Sequence, residues 1–219
     1  MVSEVHNMDC MEYMKSIPDN FFELAIVDPP YGLSKKSTSG RGKLKGRCLN
    51  RGNMQRWDIR PTKEYFEELF RVSKNQIIWG GNYFNLPSCR CFICWDKKQP
   101  WKNFSQCEYA WTSFDKPAKL VAISNRGGDA DRNKFHPTQK PVKLYQWILE
   151  KFAKPGDKIL DTHLGSGSSR IAAYRMGLDF YGTEIDKEYF DAQQERFRKE
   201  CFGEVKTPEG IIVQQRLFE

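Results

Sequence analysis

Apolar positions fall into two patterns. Short continuous runs come first: Glu23-Leu24-Ala25-Ile26-Val27, stopped by Asp28-Pro29-Pro30; residues 75 to 79, ending at Trp79; Lys158-Ile159-Leu160-Asp161; and Asp179-Phe180-Tyr181-Gly182-Thr183-Glu184. A run of this length, bounded by turn or helix signals, predicts a strand buried on both faces, and four of them predict a parallel sheet. Apolar residues at helical spacing lie between the runs. Thr62 caps a predicted helix carrying Tyr65, Phe66, Leu69 and Phe70, and Pro141 starts one carrying Val142, Tyr145, Ile148 and Phe152. A third runs from Ser168 to about Met176, stopped by Gly177, and a last begins after Asp186 with Phe190, Phe197 and Cys201 on one side. Strands alternating with helices predict an α/β, doubly wound, mostly parallel sheet. Within a β-rich part spanning 85–133 the alternation breaks into shorter β runs, Cys91 to Trp95, Glu108 to Thr112 and Leu120 to Ser124, which predict an antiparallel edge or a small recognition insert. At 219 residues the chain reads as a single domain, 1–219, with embellishing loops.

Charge changes this picture in one place. The net charge of +7 favours a polyanionic partner only weakly, but its distribution is uneven. Between Ser34 and Arg60 stand Lys35, Lys36, Arg41, Lys43, Lys45, Arg47, Arg51, Arg56 and Arg60 against the single acid Asp58, interleaved with glycines. Residues 34–60 therefore read as a mobile cationic loop that follows phosphates by counterion release; the same composition also suits a solvated surface insertion. The longest apolar runs are far short of the ~20 residues of a membrane helix. Residues 1–7 have neither the basic start nor the apolar core of a secretory signal, so a cytoplasmic protein with no membrane partner is expected. Seven dispersed cysteines predict reduced thiols. Cys91-Phe92-Ile93-Cys94, with Cys89 and Cys107 near, raises a zinc site; no second ligand pair follows at suitable spacing, and core thiols with no metal are expected.

Two segments carry candidate chemistry. Asp161-Thr162-His163-Leu164-Gly165-Ser166-Gly167-Ser168-Ser169 joins a predicted strand to a predicted helix, and Glu184 ends the next strand. Glycines let a ligand approach the backbone, the helix N-terminus offers free N–H groups to a carboxylate, and the acid can accept both hydroxyls of a ribose. Arg170 stands where a dinucleotide fingerprint has its third glycine, which favours a nucleoside with a small anionic tail over a pyrophosphate. A glycine turn serving only tight strand-to-helix packing is the structural alternative. The second segment is Asp28-Pro29-Pro30-Tyr31. An aspartate at the C-terminal end of a sheet strand points into the crevice where such folds bind ligands, two prolines leave carbonyls free as acceptors, and an aromatic face follows. Together these suit the grip on a planar base by its amino group. His136 reads as structural or cofactor-proximal, and Trp57 and Trp101, in polar stretches, as candidates for base stacking.

Asp28-Pro29-Pro30-Tyr31, then His136-Pro137-Thr138-Gln139-Lys140-Pro141, then the Gly165 to Ser169 loop with Glu184, resemble in that order the β-type, permuted DNA amino-methyltransferases that modify adenine N6 or cytosine N4. Gly80-Gly81-Asn82-Tyr83 also resembles a piece of their catalytic half. The resemblance implies a Rossmann-like S-adenosylmethionine-dependent fold, with the catalytic half first, target recognition between and the cofactor half, 136–200, last. It implies methyl transfer to N6 of a flipped adenine in DNA, with neither metal nor covalent enzyme intermediate. Asp28 and the Pro29 carbonyl, in a motif completed by Pro30, would accept from the target amino group, and Tyr31 would stack on the base. Glu184 would hold the ribose, and Asp9 with the backbone at Cys10 the adenine ring of the cofactor. Thr138, Gln139 and Lys140 would lie near the methionine carboxylate with Leu164, Gly165, Gly167, Ser168 and Ser169, and Ile185 would complete the set. Lys35 to Arg56 would contact DNA. His163 departs from the aromatic residue usual before this glycine loop. Aspartate at position 28, where serine is commoner in cytosine enzymes, points to adenine; cytosine N4, structured RNA and a binding module without catalysis are the alternatives. A homodimer is frequent in that group, and the short middle region predicts a short or relaxed target site.

Overall fold

The computed structural model describes residues 1–33, 58–100, 105–125, 134–207 and 210–213. Its centre is an eight-stranded sheet built from β1 (Ser3–His6), β2 (Phe22–Val27), β3 (Ser73–Trp79), β4 (Phe92–Asp96), β5 (Cys107–Thr112), β6 (Lys119–Ala122), β7 (Lys158–Asp161) and β8 (Asp179–Thr183), in the spatial order β1-β8-β7-β2-β3-β5-β4-β6. Strands β1, β8, β7, β2 and β3 are parallel; β5 runs antiparallel to both β3 and β4, and β6 is parallel to β4. A separate hairpin, β9 (Glu204–Thr207) and β10 (Gly210–Val213), follows.

Helices cover both faces, which is why the central strands read as unbroken apolar runs. Leu24 and Ile26 of β2 pack on one side with α3 (Val142–Phe152), α4 (Ser168–Arg175) and α5 (Lys187–Phe202); Ala25 and Val27 pack on the other with α1 (Cys10–Lys15) and α2 (Lys63–Val72). Alternate residues of one strand thus enter two different cores.

The strand order creates the crevice. From β2 the chain moves outward through α2 to β3; from β7 it moves the opposite way through α4 to β8, yet β2 and β7 are neighbours, with Leu24 opposite Ile159 and Ala25 opposite Leu160. Loops leaving adjacent strand ends in opposite directions open a cleft, the usual ligand position in open α/β sheets. Asp28 follows β2, and Asp161 closes β7.

Three elements differ from the expectations. β1 and α1 carry no apolar run, but β1 completes the sheet through β8, and the Asp9 carboxylate caps α1 by accepting from Met11 N–H at 2.7 Å. The pair Asp9 and Glu12 has the spacing of a capping box, a legible signal. In α5 the buried side is Tyr189, Gln193, Phe197 and Glu200, with Phe190 only half-buried. Polar residues enter that face because arginines meet them: Arg196 and Arg175 bind Glu200 at 2.8 and 2.9 Å, and Arg170 reaches Gln193 at 3.2 Å. Cys91 is a core thiol, whereas Cys107 is exposed and Cys94 half-buried. Strands β4 to β6 extend the main sheet. The basic residues 35 to 56, Trp57 and Trp101 lie outside the described residues.

A crevice at the switch point of the sheet

On the β2 side, Asp28 is anchored at both oxygens. Oδ1 accepts from the Tyr31 hydroxyl at 2.6 Å, and Oδ2 accepts from the Lys140 ammonium. Lys140 is buried, also reaches Glu108 Oε2 at 3.2 Å, and lies 4.9 Å from the centre of the Trp79 ring. Glu108 in turn pairs with Lys97 at 2.5 Å. Burial alone would pull the Lys140 pKa down, but Asp28 and Glu108 beside it raise it, so the ammonium stays charged. Burial likewise opposes the charge on Glu108, and Lys140 and Lys97 outweigh it, holding its carboxyl below the usual range.

Tyr31 is fixed as firmly. Its ring stacks on Tyr83 at 4.8 Å with planes 22° apart and meets the edge of Phe84. Gly80, left-handed at φ +67°, makes room for it: a Cβ there would stand 2.2 Å from Tyr31 Cε1. Gly80→Ala therefore combines an unfavourable backbone region with overpacking, together roughly 2–4 kcal/mol. A fall in Tm of several degrees in thermal denaturation is expected; an unchanged Tm would mean that the Tyr31 ring is free to leave.

On the β7 side, Asp161 organises the glycine loop, its Oδ1 accepting from His163 N–H at 3.0 Å and its Oδ2 from the Ser169 hydroxyl at 2.5 Å. Gly165 and Gly167 take φ +48° and +71°, and Gly167 N–H donates to the Leu164 carbonyl at 2.8 Å. The Glu184 carboxylate is preset by two backbone donors, Gly165 N–H at 2.8 Å and Asp186 N–H at 2.9 Å. Asp9 and Cys10 stand on the turn beside it, where Glu184 N–H donates to the His6 carbonyl and Asn7 Nδ2 to the Glu184 carbonyl. Burial pushes the Cys10 thiol up to about 12, an unreactive state.

The other expected site residues divide. The Ser168 side chain turns into the protein, against Ser166 and Arg196. Leu164 and Gln139 are buried, Thr138 is exposed with its hydroxyl 3.2 Å from His136 Nδ1, and Ile185 is 60% exposed at the rim. Lys140, expected near a methionine carboxylate, is bonded to Asp28 and Glu108. Glu108 and Lys97 join the site without belonging to any motif; a lone acid in the apolar run of β5 is the signal for Glu108. The His136 ring packs over Gly165 and against Tyr189, 4.4 Å between centroids. His163 joins a buried chain, its Nδ1 2.9 Å from Thr162 Oγ1 and that oxygen 2.7 Å from the Tyr65 hydroxyl.

These groups give the fold a pH signature. Burial pulls His136 down to about 3, with Lys140 adding to it, and His163 down to about 4 although Asp9 opposes. In the unfolded chain both take a proton near 6.5, so their stabilisation is full above that pH and is lost as pH falls through the window to 3–4. Asp161 acts oppositely: burial pushes it up to about 7 against its hydrogen bonds from Ser169 and His163, so its contribution is full below about 3.8 and is lost as pH rises through about 7. His163→Gln should flatten the decline of unfolding free energy between pH 6.5 and 4 by about 1.4 kcal/mol per pH unit, and Asp161→Asn should steepen it similarly. Urea unfolding at stepped pH checks both; an unaltered slope in H163Q would show that the imidazole titrates normally in the fold.

A nucleoside with a diol and a short charged tail fits the β7 side. Glu184 is an acid with spare lone pairs, held by the same loop whose glycines admit a ligand. Arg170, in place of a third glycine, buries its guanidinium against Ser3, Gln194 and Phe197, so the loop lacks the full dinucleotide pattern. Comparison with known proteins agrees. The sequence model of a DNA methylase family, N6_N4_Mtase, matches residues 78–195. YubD of Escherichia coli (strain K12) is 25% identical over 201 residues, covering 86% of this chain and 87% of that protein. The M1.HpyAVI–SAM complex superimposes with a TM-score of 0.58 at 20% identity, covering 90% of this chain and 98% of that one. The PvuII DNA methyltransferase, cytosine-N4-specific, gives 0.60 at 18%, covering 90% and 87%. With the family model spanning more than half its length, the chain belongs to the N6/N4 DNA methylase family and is an S-adenosylmethionine-dependent DNA methyltransferase.

Proposed function

We propose that this methyltransferase modifies the exocyclic N6 of adenine in DNA, by direct attack on a base flipped into the crevice beside Asp28. The observation that carries the reading is the Asp28 carboxylate, fixed between Tyr31 and Lys140 at the end of β2, beside the end of β7 from which the glycine loop leaves. A carboxylate has about four acceptor sites; Tyr31 and Lys140 use two, which leaves capacity for an amino hydrogen. The Pro29 carbonyl would accept the second hydrogen, in the motif that Pro30 and Tyr31 complete.

Bound S-adenosylmethionine supplies an electrophilic methyl on a sulfonium. Glu184 would hold its ribose, Asp9 and the Cys10 backbone its adenine ring, and Leu164, Gly165, Gly167, Ser168, Ser169, Thr138, Gln139 and Ile185 the remainder. Because the Ser168 and Ser169 hydroxyls bond within the protein, backbone N–H groups would meet the charged tail. At the base, two acceptors favour the pyramidal amino nitrogen whose lone pair can attack. As the N–CH3 bond forms and the S–CH3 bond breaks, the sulfur keeps the electron pair. The nitrogen acquires positive charge, which Asp28 faces, and then sheds a proton to water. The basic residues between Lys35 and Arg56 would follow the DNA backbone.

Cytosine N4 is the second reading, since the same acceptors suit either amino group and a cytosine-N4 enzyme shares the fold. The anionic acceptor at position 28, where serine is commoner in cytosine enzymes, favours adenine. Unmethylated DNA incubated with methyl-labelled S-adenosylmethionine, digested and resolved by nucleoside mass spectrometry, should yield N6-methyladenine. N4-methylcytosine would reassign the base, and label in neither would contradict the reading.

A further inference from the structure

We infer that Lys140 and Glu108 are positioning residues for the methyl-transfer step, with the shared ammonium holding Asp28 in the orientation that receives the target amino group. The inference rests on the reading of Asp28 as the acceptor for that group. Three observations carry it. Lys140 is 4% exposed and comes from a segment 112 residues from Asp28, so the contact is made by the fold and not by local chain geometry. Its ammonium is divided between two carboxylates, Asp28 Oδ2 and Glu108 Oε2, while Trp79 lies beneath it. Glu108 is itself held by Lys97, which makes the order Lys97, Glu108, Lys140, Asp28, Tyr31 a continuous ladder of alternating charge ending on the Tyr31 hydroxyl.

A buried ammonium is costly unless its partners are well placed, and a single surface lysine would serve mere solubility better. What the ladder supplies is direction. Lys140 takes one oxygen of Asp28 and Tyr31 the other, so the carboxyl plane cannot rotate. Without the ammonium, Asp28 and Glu108 would be two half-buried acids near one point, and repulsion would drive Asp28 off its position or neutralise one of the pair. Both are poor outcomes for a group that must accept a hydrogen bond as positive charge develops on nitrogen.

The test is Lys140→Met, Glu108→Gln and the double variant, each assayed for kcat on DNA, affinity for S-adenosylmethionine by calorimetry, and Tm. K140M should lower kcat by about 100-fold while cofactor affinity stays within about threefold. E108Q in the K140M background should recover about tenfold of that loss, because it removes the repelling charge. A structural role for Lys140 would make the second lesion additive, and a role on the methionine carboxylate would weaken cofactor binding as much as rate; either result overturns the inference. Should K140M not fold, E108Q alone decides: kcat falling severalfold at unchanged Tm and cofactor affinity is expected, and an unchanged kcat refutes it. If the unsubstituted protein methylated no nucleic acid, the assigned function would fall on its own. The positioning claim would then be read from a crystal structure of K140M or E108Q, where an Asp28 carboxyl unmoved from its contact with Tyr31 would overturn it.

Discussion

Asp28→Asn is expected to leave S-adenosylmethionine affinity within about threefold of the parent and to lower methyl transfer to DNA by about 1000-fold. The asymmetry follows from where the carboxylate points its bonds. Its partners, Tyr31 and Lys140, belong to the β2 side of the crevice, and none of the hydrogen bonds that shape the Gly165 to Ser169 loop involves it. Asparagine keeps the volume but loses the negative charge and replaces one acceptor by a donor, which must stand either against the Lys140 ammonium or against the Tyr31 hydroxyl. The first arrangement sets donor against donor, the second leaves one neutral oxygen to serve both Lys140 and the base amino group, and the loss appears in kcat because the interaction strengthens as the nitrogen pyramidalises. Calorimetry for the cofactor and single-turnover rates for transfer separate the two effects. Parallel losses of affinity and rate would assign Asp28 to the cofactor.

Glu184→Ala should do the reverse, weakening S-adenosylmethionine by about 100-fold while the rate at saturating cofactor changes little. Two charge-assisted hydrogen bonds to the ribose would be lost, each contributing on the order of 1.5–3 kcal/mol. The backbone donors at Gly165 and Asp186 would be released as well, so part of the cost is loop order. Burial raises the Glu184 pKa against these N–H groups, which marks the carboxylate as one whose charge the loop must maintain. Cofactor titration of the variant, with Tm as a control for folding, measures it. An unaffected affinity would move the ribose elsewhere and leave the Glu184 bonds as loop structure alone.

The strands that position this site were legible because their central residues are buried on both faces: β2, β3, β7 and β8 appear as short runs rich in apolar residues, and Asp28, Asp161 and Glu184 mark the ends of β2, β7 and β8. β1 was not, since Val5 is its one large apolar residue and its place is set by register with β8, a long-range pairing without a local signature. The face of α5 was misjudged because Gln193 and Glu200 are buried by arginine partners from α4 and from α5 itself, and periodicity ignores such pairs. Asp28, Tyr31 and the glycine loop could be chosen as candidates from residue type and spacing. The placement of Lys140 could not, because Glu108, Trp79 and Asp28 reach it from three different strands or strand ends. A motif fixes which residues neighbour one another along the chain; the strand order decided that this lysine faces Asp28.

The most direct measurement is a crystal structure of the protein with S-adenosylmethionine and a short DNA duplex. The account predicts ribose hydroxyls on the Glu184 carboxylate, the sulfonium methyl directed across the boundary between β7 and β2, and the amino group of an extruded adenine on Asp28 and the Pro29 carbonyl. A cofactor bound away from the Gly165 to Ser169 loop, or an extruded base that does not reach Asp28, would contradict it.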